Sequence, residues 1–169
     1  LEPGAVSLDD FARATYITAG KAVGSTGGDY WTHLKSWWQR RDDPDVIFMA
    51  YEHMKDDLTG TIQKVASLME IDLDDELLAI TEEHASLTFM QTHKNRFDDK
   101  LMRERSIEVA GLSADSDSSK VRTGQTGEYR QQLGADIADE LDEIWHQQIT
   151  KDIGFESYPS MIEALMQIK

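Results

Sequence analysis

The residues best suited to chemistry lie in one run, Arg122-Thr123-Gly124-Gln125-Thr126-Gly127-Glu128-Tyr129-Arg130. Gly124 and Gly127 leave no Cβ to keep an anion from the backbone N–H groups. Arg122 offers a planar fork of donors that matches phosphate oxygens. Lys120 and Arg130 make this the densest basic spot after residue 105. A phosphate would find its donors here, although a surface turn with incidental charges has the same composition. Elsewhere the chemistry is sparser. Tyr51 follows a short apolar run, and ligands of open α/β sheets lie at the carboxyl ends of strands; a core tyrosine with a satisfied hydroxyl reads the same way. Ser86 can cap a helix or bond a ligand, and Leu87 and Met90 can line a pocket or fill a core. His33 sits on a helical face with Trp31, Trp37 and Trp38 nearby. The remaining histidines show no metal-ligand spacing, so no metal is expected. The acidic pairs Glu82-Glu83 and Asp98-Asp99 read as solvated charge.

The whole chain sets limits on what these residues serve. Its 169 residues suffice for one domain with a core. It carries 17 basic and 32 acidic residues, a net charge of −15, which argues against a nucleic-acid partner. No apolar run nears the roughly 18 residues of a membrane helix, so no membrane insertion is expected. The absence of cysteine excludes disulfides and fits a cytoplasmic protein. The opening Leu1-Glu2-Pro3-Gly4 has the turn chemistry of a chain interior, so a piece of a longer protein is expected.

The elements that must position these groups are mostly helices. Ser7 and Asp10 start one that Gly20 would stop. Asp29 caps a second over about 30–41, with Trp31, Leu34 and Trp38 on one face. Val46-Ile47-Phe48-Met49-Ala50 reads as a buried strand of a parallel sheet. No other segment reads as its partner, and one strand cannot satisfy its own backbone. Helices follow over about 58–70, 74–84 and 86–92. Residues 95–128 lack clean periodicity and contain a polar tract over 113–119. The last strong helix spans about 135–150, and an apolar stretch over 161–168 suggests a terminal one.

Four segments, in order, resemble the soluble sulfotransferases that use 3′-phosphoadenosine 5′-phosphosulfate (PAPS). Trp31-Thr32-His33-Leu34-Lys35-Ser36-Trp37-Trp38 is similar to the family's helix with a His before paired Trp. Tyr51-Glu52-His53-Met54-Lys55 is similar to its strand followed by Tyr-Glu-Asp-Met-Lys. His84-Ala85-Ser86-Leu87-Thr88-Phe89-Met90 is similar to its Thr-Ser-Phe-x-x-Met. The run from Arg122 to Arg130 is similar to its Arg-Lys-Gly-x-x-Gly-Asp-Trp-Lys. Thr123 replaces a Lys, and Ala85 and Leu87 replace Thr and Phe, which leaves the phosphate contact less cationic and the adenine pocket less aromatic.

The resemblance implies an α/β, P-loop-NTPase-like sulfotransferase fold with a parallel sheet. The chain, 1–169, would be the C-terminal part of one such domain, mainly its helices and about one core strand, with 95–120 a mobile lid. It implies sulfuryl transfer from PAPS to a hydroxyl or amine acceptor, leaving adenosine 3′,5′-bisphosphate. Arg122, Thr123, Gly124, Tyr51, Ser86 and Leu87 would hold the donor's adenine and 3′-phosphate side, and His33 would face the acceptor. Small molecules, carbohydrates and lipids are all open as acceptors. The family's Lys-Ser-Gly-Thr-Thr loop and catalytic His have no counterpart here, so no catalytic residue is assigned and the 169 residues alone are expected to be inactive. A homodimer stays open, since the Thr-Val pair some members use to dimerise is not found after Arg130. Two other readings remain: a helical interaction module without activity, and a kinase-like nucleotide binder, which would need a Gly-x-x-x-x-Gly-Lys-Ser loop that this sequence lacks.

Overall fold

The computed structural model describes residues 6–22, 29–111, 113, 121, 123–127 and 129–166. Helix α1 is built of Leu8–Ala12, a π-helical turn over Arg13–Ile17 and a final turn over Thr18–Lys21. Helix α2 spans Tyr30–Trp38 and α3 spans Tyr51–Asp56. Helices α4, Leu58–Leu68, α5, Asp75–Ala85, α6, Leu87–Thr92, and α7, Lys100–Ala110, follow. A short α8, Tyr129–Gln132, precedes α9, which runs Ala135–Trp145 and continues through a π-helical turn, His146–Thr150, into Lys151–Ile153. The last, α10, spans Tyr158–Leu165. The chain divides into two compact units, one of Val6–Asp57 with Gly127–Lys169, the other around Leu58–Thr126.

In the first unit the core is assembled from residues far apart in sequence. Ile137, Ile144 and Ile149 of α9 are fully buried, and burial of each contributes about 1.5–3 kcal/mol. Around them pack Ala12, Ile17, Trp31, Trp38, Ala50, Trp145, Met161 and Leu165. The indoles meet their neighbours edge-on, Trp31 with Trp145 at 6.2 Å between centroids and Trp38 with Phe48 and Phe155 at 5.4 and 5.0 Å. Polar ties hold the same elements. Gln148 is buried, donates to the Gly20 carbonyl at 3.0 Å and accepts from Lys35 Nζ at 2.9 Å. Asp9 of α1 accepts from the Gly134 N–H at 3.0 Å, closing the start of α9, which has no side-chain cap of its own.

Three expectations are corrected. Gly20 does not stop α1, which continues to Lys21. It is glycine because the Trp31 indole lies against the helix backbone there: a Cβ would stand 2.5 Å from Trp31 Nε1 and 2.7 Å from Ile144 Cγ2. Residues 46–50 are not a strand; no strand occurs among the described residues. Ala50 is extended, at φ −90° and ψ 142°, but extended backbone becomes a strand only with a ladder partner. Its burial comes from the helical core instead, through Phe48 on Trp38 and through Ala50. Finally, part of the aperiodic tract is helical. Helix α7 ends on Gly111 at φ 66°. Its Leu101, Met102 and Val109 are exposed, so they form no core stripe, which is why periodicity did not reveal it. Residues 114–120 of the expected lid lie outside the described residues.

In the second unit, Asp74 caps α5 by accepting from the Leu77 N–H at 2.8 Å, and Ser86 separates α5 from α6. Thr59 of α4 donates to Glu82 of α5.

Two outcomes follow for the first unit. Gly20→Ala should destabilise it by about 1–3 kcal/mol, the usual cost of overpacking; a denaturant melt checks this. Arg13 and Lys21 of α1 both donate to Glu140 of α9. Lys21 first, then Arg13, hold the Glu140 carboxyl below its ordinary 4.5. The folded value is the lower one, so the contribution is full above 4.5 and is lost as pH falls through the depressed value. Glu140→Gln should therefore lower the melting temperature slightly at neutral pH, and the gap should close in acid below 4.5.

Candidate functional site

The Gly-x-x-Gly turn is the most distinctive backbone feature among the expected site residues. Gly124 and Gly127 both lie in the left-handed region, at φ 67° and 79°. A side chain at either would be strained, so the sequence uses glycine for conformation as well as for access. Thr123 is exposed and its Oγ1 accepts from the Gln125 N–H at 3.3 Å, a local bond that tightens the turn. Just before it Val121 is buried. Arg122, the expected guanidinium, lies outside the described residues.

Ser86 is half-buried between two helices. Its Oγ accepts from the Phe89 N–H at 3.1 Å and donates to the Glu83 carbonyl at 2.7 Å. The cap is thus real, and its one proton is already engaged. A ligand would meet the remaining acceptor lone pair, or would have to draw the proton away from Glu83. Leu87 opens α6 and is half-buried.

Tyr51 opens α3, directly after the extended Ala50, with 48% of its surface exposed. His33 is exposed on α2, its ring 6.3 Å from that of Trp37. Tyr51 and His33 belong to the first unit, whereas Ser86, Leu87, Thr123 and Gly124 belong to the second. Among the described residues no cluster of three or more His, Asp or Glu could hold a metal ion.

With this geometry in hand, comparison with known proteins decides the family. The sulfotransferase domain profile matches residues 13–153, most of the chain. This chain belongs to the sulfotransferase family. Among relatives, dog sulfotransferase 1B1 is 25% identical over 150 residues, covering 89% of this chain and 47% of that protein. Rat sulfotransferase 1C2 is 29% identical over 122 residues, 72% of this chain and 39% of its own length. Rabbit amine sulfotransferase is 28% identical over 134 residues, 77% and 40%. The crystal structure of mouse sulfotransferase SULT7A1 complexed with PAP superposes with a TM-score of 0.57 at 19% identity, over 91% of this chain and 49% of that one. The described structure is therefore consistent with part of the sulfotransferase fold, and the chain spans about half the length of the relatives it matches. No described helix of it is long and apolar enough to cross a membrane.

Sequence reasoning missed two aromatic groupings. Phe89 is stacked on His93 at 4.0 Å between centroids and meets His84 in a tilted arrangement at 4.4 Å. The spacing of these residues crosses the Ser86 break between two helices, so no single helical period reports it. A second grouping joins Tyr30, Tyr129 and Tyr158 to Glu52, from four separate stretches.

Ser86→Ala should cost about 1 kcal/mol of stability through loss of the cap, read by chemical denaturation. If Ser86 only caps, donor-nucleotide affinity per folded molecule should not change; a ligand contact would weaken it as well.

Proposed function

We propose that this chain forms the adenine and 3′-phosphate side of a PAPS site, in an enzyme that transfers a sulfuryl group to a hydroxyl or amine acceptor. The observation that carries this reading is the left-handed glycine pair at 124 and 127, in a member of the sulfotransferase family. A turn of that kind directs N–H groups toward an anion. The related mouse enzyme was crystallised with PAP, the product such a donor leaves, which supports the choice of nucleotide. In this reading Arg122, Thr123 and Gly124 receive the 3′-phosphate. Tyr51 and Leu87 flank the adenine, Ser86 contributes an acceptor, and His33 faces the acceptor substrate. Their assignment to one nucleotide rests on the family resemblance.

Each residue would act before the chemistry rather than in it. The turn and the guanidinium bind charge, and Tyr51 orients the base. Held in this way, the donor presents its sulfuryl group in line with the incoming oxygen or nitrogen. No base is assigned within these 169 residues, so they are expected, purified alone, to turn over no donor. The enzyme would be cytoplasmic and act on a small-molecule, carbohydrate or lipid acceptor, with a homodimer as one arrangement.

Isothermal titration tests the reading. Adenosine 3′,5′-bisphosphate should bind at least about ten-fold more tightly than ATP, and Arg122→Ala should remove about 1.5–3 kcal/mol of that affinity, the worth of a charged hydrogen bond. Equal affinity for ATP would favour the kinase-like reading. No binding of either nucleotide would favour an interaction module.

A further inference from the structure

The second aromatic grouping has no part in the proposed donor site, yet it has the makings of a ligand surface. Tyr158 Oη donates to Glu52 Oε2 at 3.2 Å. The phenol groups of Tyr30 and Tyr129 lie within electrostatic reach of Tyr158. Tyr30, Tyr129 and Tyr158 are 48%, 51% and 39% exposed, so each ring offers surface to solvent. All four residues belong to the same compact unit.

The surface is also preformed. Tyr30 meets Trp31 edge-on at 5.1 Å, Trp31 meets Trp145 at 6.2 Å, and Trp145 meets Tyr158 at 6.1 Å. Both tryptophans are buried, and Trp145 Nε1 donates to the Phe155 carbonyl at 2.8 Å. Two of the exposed phenols thus stand on a rigid aromatic wall, and a ligand would not have to order them.

We propose that Glu52, Tyr158, Tyr30 and Tyr129 form a binding site for a compact organic ammonium ion. A carboxylate supplies the countercharge, and tyrosine faces attract a cation through the ring quadrupole. Among the described residues Glu52 accepts from the Tyr158 phenol and forms no ion pair with a Lys or Arg. An anion would be repelled by Glu52, and the net charge of −15 adds to that preference. Burial first, and Glu52 second, push the Tyr158 phenol up to about 12, so it remains a neutral donor that holds Glu52 in place.

The test titrates the protein with tetramethylammonium chloride, using sodium chloride at equal ionic strength and tert-butanol as a neutral isostere. Tyrosine ring resonances are followed by NMR. The expected result is a saturable shift with tetramethylammonium alone, weakened about ten-fold by Glu52→Gln and several-fold by Tyr158→Phe, with far-UV circular dichroism unchanged. If Glu52→Gln unfolds the protein, Tyr129→Ala replaces it and should weaken binding to a similar extent. No saturable shift, an equal response to tert-butanol, or full affinity in the substituted proteins would overturn the site. None of these outcomes depends on PAPS binding, so this site and the proposed donor site can fail separately.

Discussion

The contact between the Trp31 indole and the backbone at Gly20 organises the first unit. It brings α2 against α1 at a distance that no residue with a Cβ would permit, and Ile144 of α9 closes the same space. Trp31 Nε1 is buried there without a hydrogen-bond partner, an arrangement that costs free energy and persists because the surrounding packing offsets it. With α2 placed, Trp38 at its far end packs on Phe48, and the extended Ala50 leads to Tyr51. The position of the ring proposed to meet the adenine therefore follows from a glycine thirty-one residues earlier in the chain.

Much of the local structure was legible because it depends on local chemistry. Asp29 accepts from the Thr32 N–H at 2.7 Å, and Ser7 and Ser86 accept from N–H groups three residues on, as their positions before apolar periods require. The sequence marked Gly124 and Gly127 for the access they give to the backbone, and their left-handed conformation emerged only in the structure. What escaped was non-local. Gly20 has the local signature of a helix stop, and only Trp31 and Ile144 show that its missing side chain is a packing requirement. Residues 46–50 have the composition of a buried strand, but a strand is defined by a neighbour that no local pattern supplies. Helix α7 has charged residues and exposed apolar ones intermixed, so its helicity shows in the backbone and not in any stripe.

The same distinction separates the family assignment from the details of the site. Four short segments, each common by itself, point to sulfotransferases when taken in order, and the domain profile over residues 13–153 agrees with them. Ser86 fills a structural role as a helix cap, and its hydroxyl retains one acceptor site after capping. Of the residues in the proposed cation site, Glu52 and Tyr129 lie within the four segments, whereas Tyr30 and Tyr158 lie outside them.

The central claim is that the glycine turn and Tyr51 serve one nucleotide. Backbone NMR during titration with adenosine 3′,5′-bisphosphate tests it most directly. The account predicts that the amides of Gly124, Gly127 and Tyr51 shift together with a single dissociation constant. Shifts at Tyr51 without any at the two glycines, or two unrelated constants, would contradict it.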